Sequence, residues 1–446
     1  MNRSIPSRAL VVGLGSSGVA AATLLARQGW RVTVNDRASA ADLADRLAGL
    51  PAGVESVLGG HPESLLEGRS LVVTSPGVPP DLAMLAQARR RGIEVIAELE
   101  LAYRSLADIP LIAVTGSNGK TTVTALLGAI LDEAGWSVGV GGNIGHPASA
   151  HALEGGFDAL VWEVSSFQLE GCTTLRPRVG ILLNLSPDHL DRHPTLADYL
   201  AAKARLFARQ QGDDVAVLNA DDPAVAGLVV PARAEFFSLH DRSAAACLAG
   251  GHLVLDGRPL LSRSRLPLLG DHNVANALAA ALAAARVGAP RPAIATALER
   301  FTGLPHRHTV VAEAAGVRFV DDSKGTNIGA TAAGLAGYRP GTVHLILGGL
   351  GKGQDFAPLA QAVAGRAAAV YLIGDAADEI ARAIGGRVPV QHCGTLAEAV
   401  RRAAAAAGGG DTVLLSPACA SFDQFRDYAH RGDEFARLAR LTAGVA

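Results

Sequence analysis

The chain has 446 residues, which at roughly 150 residues per domain suggests about three domains. Hydrophobic residues make up 49% of it, which excludes a disordered chain or a disulfide-stapled mini-protein. The 40 Lys and Arg residues against 42 Asp and Glu residues, with only 4% aromatic residues, predict no broad attraction to nucleic acid or anionic lipid. The four cysteines are far apart, which indicates reduced thiols in a cytoplasmic protein: Cys172, Cys247, Cys393 and Cys419.

Two uncharged stretches resemble export or membrane segments at first sight. Residues 9–26 follow two arginines, as in a signal peptide, but they contain three glycines and two serines in their middle. Residues 134–153 contain glycine, asparagine, histidine and proline, which do not suit a membrane span. We therefore expect no membrane insertion.

Short apolar runs alternate with helical segments along the chain, which is typical of parallel sheets covered by helices. The predicted strands are 9–12, 31–34, 70–74, 111–115, 159–164, 179–185, 215–218, 317–320, 342–347, 370–373 and 412–416. We predict an α/β protein of three domains: a Rossmann-like domain over 1–97, a central P-loop ATPase-type domain with a mostly parallel sheet over 98–304, and a Rossmann-like domain over 305–446.

The first glycine-rich loop is Gly13-Leu14-Gly15-Ser16-Ser17-Gly18, between a predicted strand and a helix. Its glycines allow the backbone to approach a diphosphate, and Asp36 after the next strand can accept hydrogen bonds from a hydroxylated ring. A dinucleotide cofactor such as NAD, another nucleotide diphosphate, and a tight turn without a ligand all fit this pattern.

The second loop, Gly116-Ser117-Asn118-Gly119-Lys120-Thr121-Thr122, follows a strand and precedes a helix. Val114 stands where the strict P-loop has its first glycine. The loop nevertheless keeps backbone N–H groups, a lysine for the β- and γ-phosphates and a hydroxyl for Mg²⁺. These features predict ATP binding.

Glu163 and His189 follow two further strands of the predicted central domain. Because ligands gather at the carboxyl ends of strands in open α/β sheets, both side chains should lie near Lys120 and serve as Mg²⁺ ligands. His189 and His193 are four residues apart, so a zinc site is an alternative, although the flanking prolines favour a loop and no third ligand is suitably spaced. A purely structural His189 is a second alternative.

Lys203 falls inside the apolar stripe of a predicted amphipathic helix over 195–207, which also includes Leu196, Tyr199 and Phe207. The lysine either extends its amine from the edge of the core to solvent or is desolvated and carries chemistry or a modification.

Later motifs indicate a second set of ligand contacts. Residues 270–276 precede a long helix and suit a nucleotide, and Arg307 near the predicted domain joint could reach a γ-phosphate. Three polar loops follow strands of the third domain, at 321–327, 348–353 and 416–425. With Lys324 and Lys352 supplying positive charge, they indicate a small anionic substrate.

Taken in order, these motifs resemble the Mur ligase family, ATP-dependent amide-forming enzymes of peptidoglycan precursor synthesis. Segments 141–145, 162–170 and 415–425 are most similar to the members that join D-glutamate to UDP-N-acetylmuramoyl-L-alanine. The resemblance implies an acyl phosphate mechanism with ATP and two Mg²⁺ ions. It also implies a carbamate on Lys203, formed from CO₂, in a cytoplasmic monomer whose partners are these small molecules.

The resemblance also assigns roles residue by residue. It implies catalytic roles for Lys120, Glu163, His189, Lys203 and Arg307, and metal contacts at Thr121, Glu163, His189 and Lys203. The implied ATP contacts are Gly116, Ser117, Asn118, Gly119, Lys120, Thr121, Thr122, Asn273, Asn276, Arg307, Asp322 and Lys324. The implied contacts to the UDP-linked substrate are Ser16, Ser17, Asp36, Arg37, Gly77, Asn143, Ser165, Gln168 and His189. The implied glutamate contacts are Lys324, Thr326, Lys352, Ser421, Phe422 and Tyr428.

Three other activities remain open at this point. A regulatory P-loop NTPase would use the second loop alone, and a dehydrogenase would use the first loop with NAD. A ligase adding another amino acid, or glutamate to a folate, would share the whole set of motifs.

Overall fold

The computed structural model describes residues 7–106, 108–188, 192–351 and 353–444. These residues form three mainly parallel sheets covered by helices, which confirms the α/β prediction. The predicted site residues His189 and Lys352 lie outside the described residues. In the part of the chain that is described, no helix is both long and apolar enough to cross a membrane.

The first sheet is wholly parallel and has the strand order β3-β2-β1-β4-β5. Its strands are β1 (Arg8–Val12), β2 (Arg31–Asp36), β3 (Glu55–Leu58), β4 (Leu71–Thr74) and β5 (Glu94–Ala97), with helices α1 (Ser16–Arg27), α2 (Ala44–Ala48) and α3 (Ala83–Arg90). The central strand β1 is apolar and buried from Ala9 to Val12 because both of its faces are covered.

The second sheet has the strand order β14-β13-β12-β11-β10-β9-β6-β8-β7. Its strands are β6 (Leu111–Thr115), β7 (Val138–Gly142), β8 (Ala159–Glu163), β9 (Val179–Leu182), β10 (Val215–Asn219), β11 (Arg233–Ser238), β12 (Ala246–Ala249), β13 (His252–Leu255) and β14 (Arg258–Ser262). Its helices are α4 (Glu98–Leu106), α5 (Lys120–Glu133), α6 (Ala148–Glu154), α7 (Ser166–Glu170), α8 (Leu196–Ala204), α9 (Pro223–Ala226), α10 (Asp271–Arg286) and α11 (Arg291–Arg300). The strands from β7 to β12 are parallel, and β12 pairs with β13 in the antiparallel direction.

The third sheet has the strand order β15-β16-β20-β17-β18-β19, and only the β15–β16 pair is antiparallel. Its strands are β15 (Thr309–Ala314), β16 (Val317–Asp321), β17 (Val343–Gly348), β18 (Ala367–Ile373), β19 (Val390–Gly394) and β20 (Thr412–Leu415). Its helices are α12 (Ile328–Ala336), α13 (Ala357–Ala364), α14 (Ala377–Ile384), α15 (Leu396–Ala406) and α16 (Tyr428–Ala443).

Every strand predicted from the sequence is present, with ends that shift by up to three residues. The sequence missed β3, β5, β7, β11 to β15 and β19. The predicted helix over 195–207 is the helix α8 followed by a 3₁₀ turn over Arg205–Phe207, and Leu196, expected in its apolar stripe, is exposed.

Tertiary contacts divide the chain into two compact units. One comprises Met1–Leu185, His189–Leu261 and Ala277–Leu298, and the other comprises Ser186–Asp188, Ser262–Asn276 and Glu299–Ala446. The first two sheets belong almost entirely to the first unit, because α1 packs against both α4 and α6.

Candidate active site

The phosphate loop, residues 116–122, runs from the buried strand β6 into α5. Gly119 adopts φ +86° immediately before the helix, a left-handed conformation that glycine adopts without strain. The Lys120 Nζ folds back and donates to the carbonyl oxygens of Gly116 and Ser117, both at 2.9 Å. The loop thus has the turn geometry and the cation that a polyphosphate requires.

A row of hydrogen bonds joins the phosphate loop to the end of β8. The Thr121 Oγ1 donates to the Glu163 Oε2 at 2.6 Å, and the Asn143 Nδ2 donates to the Glu163 Oε1 at 2.9 Å. Glu163 is 3% exposed. The structure therefore brings together three side chains that the sequence associated with ATP, Mg²⁺ and the acyl substrate.

Glycine at position 142 makes this row possible. Gly142 has φ +94°, and a Cβ there would lie 2.5 Å from the Glu163 carbonyl oxygen. The same carbonyl accepts a hydrogen bond from the Asn143 N–H at 2.9 Å. Gly142 thus lets the strands β7 and β8 approach closely where the site begins.

Lys203 is buried on α8, with a side chain that reaches the phosphate loop. Its Nζ donates to the Gly116 carbonyl oxygen at 2.8 Å and lies 4.2 Å from the centre of the Tyr199 ring. Lys203 is 1% exposed, so it is not a lysine extended to solvent from the edge of the core. Lys120 and Lys203 share one carbonyl acceptor.

Ser165 and Gln168 form a capping box at the start of α7. The Gln168 N–H donates to the Ser165 Oγ at 3.3 Å, and the Ser165 N–H donates to the Gln168 Oε1 at 3.0 Å. The Gln168 Nε2, which is buried, has no hydrogen-bond partner among the described residues. The cap fixes the amide, and its unsatisfied donor is suited to a substrate oxygen.

The glycine-rich loop after β1 is held by two side chains. The Leu14 N–H donates to the Asp36 Oδ2 at 2.7 Å, and the Ser75 Oγ donates to the Gly13 carbonyl oxygen at 2.7 Å. A Cβ on Gly18 would lie 1.9 Å from that carbonyl, so glycine there lets α1 pack against the loop. Ser16, Arg37 and Gly77, three of the other residues expected at the UDP, are exposed around it.

In the second compact unit, Asn273 and Asn276 lie on the first turns of α10. The Asn273 Nδ2 donates to the Leu269 carbonyl oxygen at 2.8 Å, and the Asn276 Nδ2 donates to the Asn273 Oδ1 at 3.2 Å. Both residues are mostly buried, and their amides are oriented by each other.

The loops that follow β16, β17 and β20 are tied together at one edge of the third sheet. The Ser416 Oγ donates to the Asp322 Oδ2 at 2.7 Å, and the Leu350 N–H donates to the Ala420 carbonyl oxygen at 2.9 Å. Burial raises the pKa of Asp322 to about 7, although the Ser416 hydroxyl and the nearby Arg307 favour its carboxylate. The three polar loops predicted to act jointly are therefore adjacent.

Arg431 on α16 is the centre of this arrangement and was not predicted. The guanidinium is fully buried and donates to the Ser323 Oγ and to the carbonyl oxygens of Ser323, Cys419 and Ala420 at 2.9–3.3 Å. Burial lowers the pKa of Arg431 to about 10. An arginine four residues before the buried Phe435 was the available signal in the sequence.

Several of the residues expected to contact glutamate lie on or beside the same loops. The Lys324 Nζ lies 3.6 Å from the centre of the Tyr428 ring, a cation–π contact. Ser421 is buried, whereas Phe422 is 69% exposed. The His306 Nδ1 forms a hydrogen bond with the Asp321 Oδ2 at 2.7 Å. Burial raises the pKa of Asp321.

Asn184 is a second residue whose role the sequence did not reveal. Its Oδ1 accepts from the Asn118 N–H at 2.8 Å, its Nδ2 donates to the Asn118 carbonyl oxygen at 3.0 Å, and its own carbonyl accepts from the Ser117 N–H. A polar residue within the apolar segment 182–185 was the only signal.

The donor set beside the phosphate loop fits Mg²⁺, which prefers oxygen ligands and retains positions for phosphates and water. The Thr121 hydroxyl and the Glu163 carboxylate supply such oxygens. In the described ranges no group of three His, Cys, Asp or Glu side chains is arranged to hold a metal ion.

Family models match three consecutive parts of the chain. The MurD-like N-terminal domain of Mur ligases matches residues 7–97, the Mur ligase middle domain matches 114–284, and the glutamate ligase domain of Mur ligases matches 306–419. The chain is 47% identical to the UDP-N-acetylmuramoylalanine–D-glutamate ligase of Anaeromyxobacter dehalogenans and 46% identical to that of Myxococcus xanthus. Each match covers 97% of both chains.

Solved structures share the fold. MurF from Thermotoga maritima in complex with ADP matches with a TM-score of 0.64 and 17% identity over 97% of both chains. UDP-N-acetylmuramate–alanine ligase MurC from Thermotoga maritima matches with a TM-score of 0.62 and 18% identity, over 98% of this chain and 99% of that one. The resemblance stated from the motifs is confirmed, and the chain belongs to the Mur ligase family.

Proposed function

We propose that this protein joins D-glutamate to UDP-N-acetylmuramoyl-L-alanine in the cytoplasmic stage of peptidoglycan synthesis, using ATP. The observation that carries the proposal is the row formed by Thr121, Glu163 and Asn143, which links a phosphate loop directly to a second loop suited to an acyl substrate. Relatives of 42–47% identity that share nearly the full length are named for this activity. We place the domains at 1–97, 98–304 and 305–446.

The UDP-linked substrate would bind along the first compact unit. Ser16, Ser17, Asp36, Arg37 and Gly77 would contact the UDP, with the diphosphate at the start of α1. Asn143, Ser165, Gln168 and His189 would orient the sugar and its alanine. The unsatisfied Gln168 Nε2 supports this, because a buried amide donor is costly unless a ligand accepts from it.

ATP would lie on the phosphate loop, with Lys120 on its phosphates. Thr121, Glu163 and His189 would hold Mg²⁺, which supplies electrostatic stabilisation of charge on the transferring phosphoryl group. Asn273, Asn276, Arg307, Asp322 and Lys324 would complete the nucleotide contacts. Each well-placed electrostatic group of this kind lowers a barrier by roughly 3–4 kcal/mol.

A carbamate on Lys203 is part of the proposal. The Nζ atoms of Lys120 and Lys203 both lie within hydrogen-bond distance of the Gly116 carbonyl oxygen, so the buried ammonium group of Lys203 would stand within about 6 Å of the partly buried one of Lys120. The Lys203 ammonium would first lose a proton, and the neutral amine would then attack the carbon of CO₂ and release a second proton to solvent. The resulting carbamate is an anion that can orient Mg²⁺. The modification would thereby remove a like-charge repulsion beside the nucleotide.

Glutamate would bind at the polar loops of the third sheet. Lys324, Thr326, Lys352, Ser421, Phe422 and Tyr428 are the proposed contacts. The buried Arg431 supports an anionic ligand. Its hydrogen bonds go to neutral carbonyl and hydroxyl oxygens, and these acceptors do not neutralise its positive charge.

The reaction proceeds in two steps. An oxygen of the alanine carboxylate attacks the γ-phosphorus of ATP, ADP leaves, and an acyl phosphate forms. The amine of glutamate then attacks the acyl carbon, the tetrahedral intermediate expels phosphate, and the amine proton passes to solvent. The protein's part is positioning and charge stabilisation, with exclusion of the water that would hydrolyse the acyl phosphate.

Phosphate release from ATP tests the proposal. We expect release only when the UDP-linked alanine substrate and D-glutamate are both present, with a product whose mass increases by one glutamate residue. Omission of either substrate, L-glutamate and a panel of other amino acids serve as controls. Phosphate release that does not depend on either substrate would instead support a regulatory NTPase. A fluorescence change on titration with NADH would support a dehydrogenase.

A further inference from the structure

Glu98 is a buried carboxylate at the joint between the first sheet and the second. It follows the last residue of β5 and opens α4, and it is 1% exposed. Its Oε1 accepts a hydrogen bond from the Ser149 N–H on α6 at 2.5 Å. The same pair is linked a second time, because the Ser149 Oγ lies 3.5 Å from the Glu98 carbonyl oxygen.

The second carboxylate oxygen of Glu98, Oε2, is buried and has no hydrogen-bond partner among the described residues. Burial raises the pKa of Glu98 to about 7, and hydrogen bonding to Ser149 offsets that effect only in part. A neutral carboxylic acid fits this dry joint, whereas an ionised one places an unsatisfied charge in it.

The joint connects two parts of the proposed substrate site. On one side, β5 ends at Ala97, whose N–H donates to the Gly171 carbonyl oxygen just after the helix that carries Gln168. On the other side, α6 follows the acyl loop, residues 143–147, which begins with Asn143. Glu98 is therefore the side chain that ties the acyl loop's helix to the end of the first sheet.

The charged and titratable groups around the joint are engaged elsewhere. Arg27 of α1 donates to the Leu153 carbonyl, Glu94 of β5 pairs with Arg104, and Glu154 of α6 pairs with His146. His151 of α6 accepts from Trp162, and burial lowers its pKa to about 4. The remaining groups are Tyr103, Glu100 and the buried Cys172. The Tyr103 hydroxyl donates to the Arg176 carbonyl oxygen. Burial and the nearby carboxylates raise the pKa of the Cys172 thiol.

We propose that Glu98 is a positioning residue for the acyl substrate: its neutral form fastens α6 to the end of β5, and its ionisation loosens that joint and the acyl loop. The inference rests on the proposed function, because it takes Asn143 as a substrate contact. The sign follows from linkage. A carboxyl group with a raised pKa favours the closed joint fully below its ordinary pKa of about 4.5, and this stabilisation is lost as the pH rises through about 7.

Glu98→Gln is the decisive variant, since glutamine keeps an acceptor for the Ser149 N–H but cannot ionise. Glu100→Gln is the matched control on the same helix. Glu100 is also fully buried, but its carboxylate accepts from Thr173, Thr174, Leu175 and Arg104 and has a lowered pKa. Loss of the Glu100 carboxylate should lower the free energy of unfolding equally at pH 6 and pH 8.5.

The test combines hydrogen exchange with kinetics on the full chain. In exchange, the opening of segment 143–154 in the wild type, divided by the opening in Glu98→Gln at the same pH, should rise about tenfold from pH 6 to pH 8.5. The KM for the UDP-linked substrate should rise with pH in the wild type and stay flat in Glu98→Gln, with kcat changed less. Superimposable exchange and KM profiles for the two proteins would overturn the inference.

Two further measurements keep the test decisive. If Glu98→Gln does not fold, exchange of 143–154 relative to α15 in the wild type, from pH 6 to 8.5, gives the same information. A constant ratio would count against Glu98. If the wild type ligates no amino acid, the proposed function fails, while the exchange data still decide whether Glu98 controls the joint.

Discussion

Substituting Gly142 tests whether the hydrogen bonds of Glu163 to Thr121 and Asn143 set the catalytic geometry. A matched variant separates this effect from backbone strain. Gly142→Ala places a residue with a side chain at φ +94°, which costs about 1–2 kcal/mol in a left-handed conformation. Its Cβ would also lie 2.5 Å from the Glu163 carbonyl oxygen, closer than real contacts allow, so β8 must shift at Glu163. Misplacement of a reacting group by about 1 Å can cost 10²-fold, and we expect kcat to fall about 10- to 100-fold.

Gly145→Ala is the matched control. Gly145 has φ +56°, but a Cβ there would meet no atom within 4 Å. Both variants should lose about 1–2 kcal/mol in the free energy of unfolding, measured with urea, from strain alone. Only Gly142→Ala should also lose phosphate-release activity under saturating substrates. Equal kcat values for the two variants would show that the approach of β7 to Glu163 does not set the catalytic geometry.

Three further outcomes are expected. Lys203→Ala should lose most ligase activity and regain part of it with a short-chain carboxylic acid, whereas Lys203→Arg should show no such rescue; full activity of Lys203→Ala would exclude the carbamate. Arg431→Met should lower the free energy of unfolding by about 3 kcal/mol, because the buried carbonyl oxygens of Ser323 and Cys419 lose the guanidinium as a donor. The exposed Arg437→Met should change it by under about 0.5 kcal/mol in the same urea titration. Burial lowers the pKa of His308 to about 3, so its neutral form stabilises the fold above pH 6.5, and that stabilisation is lost as the pH falls toward 3. His308→Gln should therefore flatten the dependence of the melting temperature on pH in this range, whereas the substitution of an exposed histidine, His252→Gln, should not.

The central strands were predictable because they carry continuous apolar runs. The strands β1, β6 and β17 are buried along nearly their whole length, and such runs bounded by glycine indicate parallel strands. The loops after β1 and β6 could be picked out by their residue spacing. A G-x-G-x-x-G run follows β1, and Gly119-Lys120-Thr121 follows β6, and both patterns between a strand and a helix are typical of phosphate binding.

The missed strands lie mostly toward the sheet edges, where burial no longer imposes an apolar pattern. β3 has no buried residue, and β19 is half-exposed throughout. β7 has the sequence Val-Gly-Val-Gly-Gly, which resembles a turn. Its glycines are explained only in three dimensions, since a Cβ on Gly139 would meet Leu160, and a Cβ on Gly142 would meet Glu163.

Glu98 and Arg431 show why buried charged residues can escape a sequence-based search. Charged residues are nearly always exposed, so their composition predicts a solvated helix face. Arg431 is buried because its hydrogen-bond partners come from Ser323, 108 positions earlier, as well as from the nearer Cys419 and Ala420. Glu98 is buried against Ser149, 51 positions later. Separations of this length along the chain leave no trace in the local sequence pattern around either residue.

In each of the three sheets, a polar side chain beyond one strand holds the loop beyond the neighbouring strand. The loop after β1 is held by Ser75, which follows the neighbouring strand β4, at the Gly13 carbonyl. The phosphate loop after β6 is held by Asn184, which follows the neighbouring strand β9. The loop after β16 is held by Ser416, which follows the neighbouring strand β20, at the Asp322 carboxylate.

This arrangement follows from parallel pairing. Neighbouring parallel strands end at the same edge, so the first polar residues beyond one strand lie within hydrogen-bond distance of the loop beyond the next. Separations of 62, 66 and 94 residues along the chain are thereby closed by one strand spacing. Each loop is consequently ordered by hydrogen bonds within its own sheet, and such preorganisation lowers the entropy cost of binding at the ligand sites proposed above.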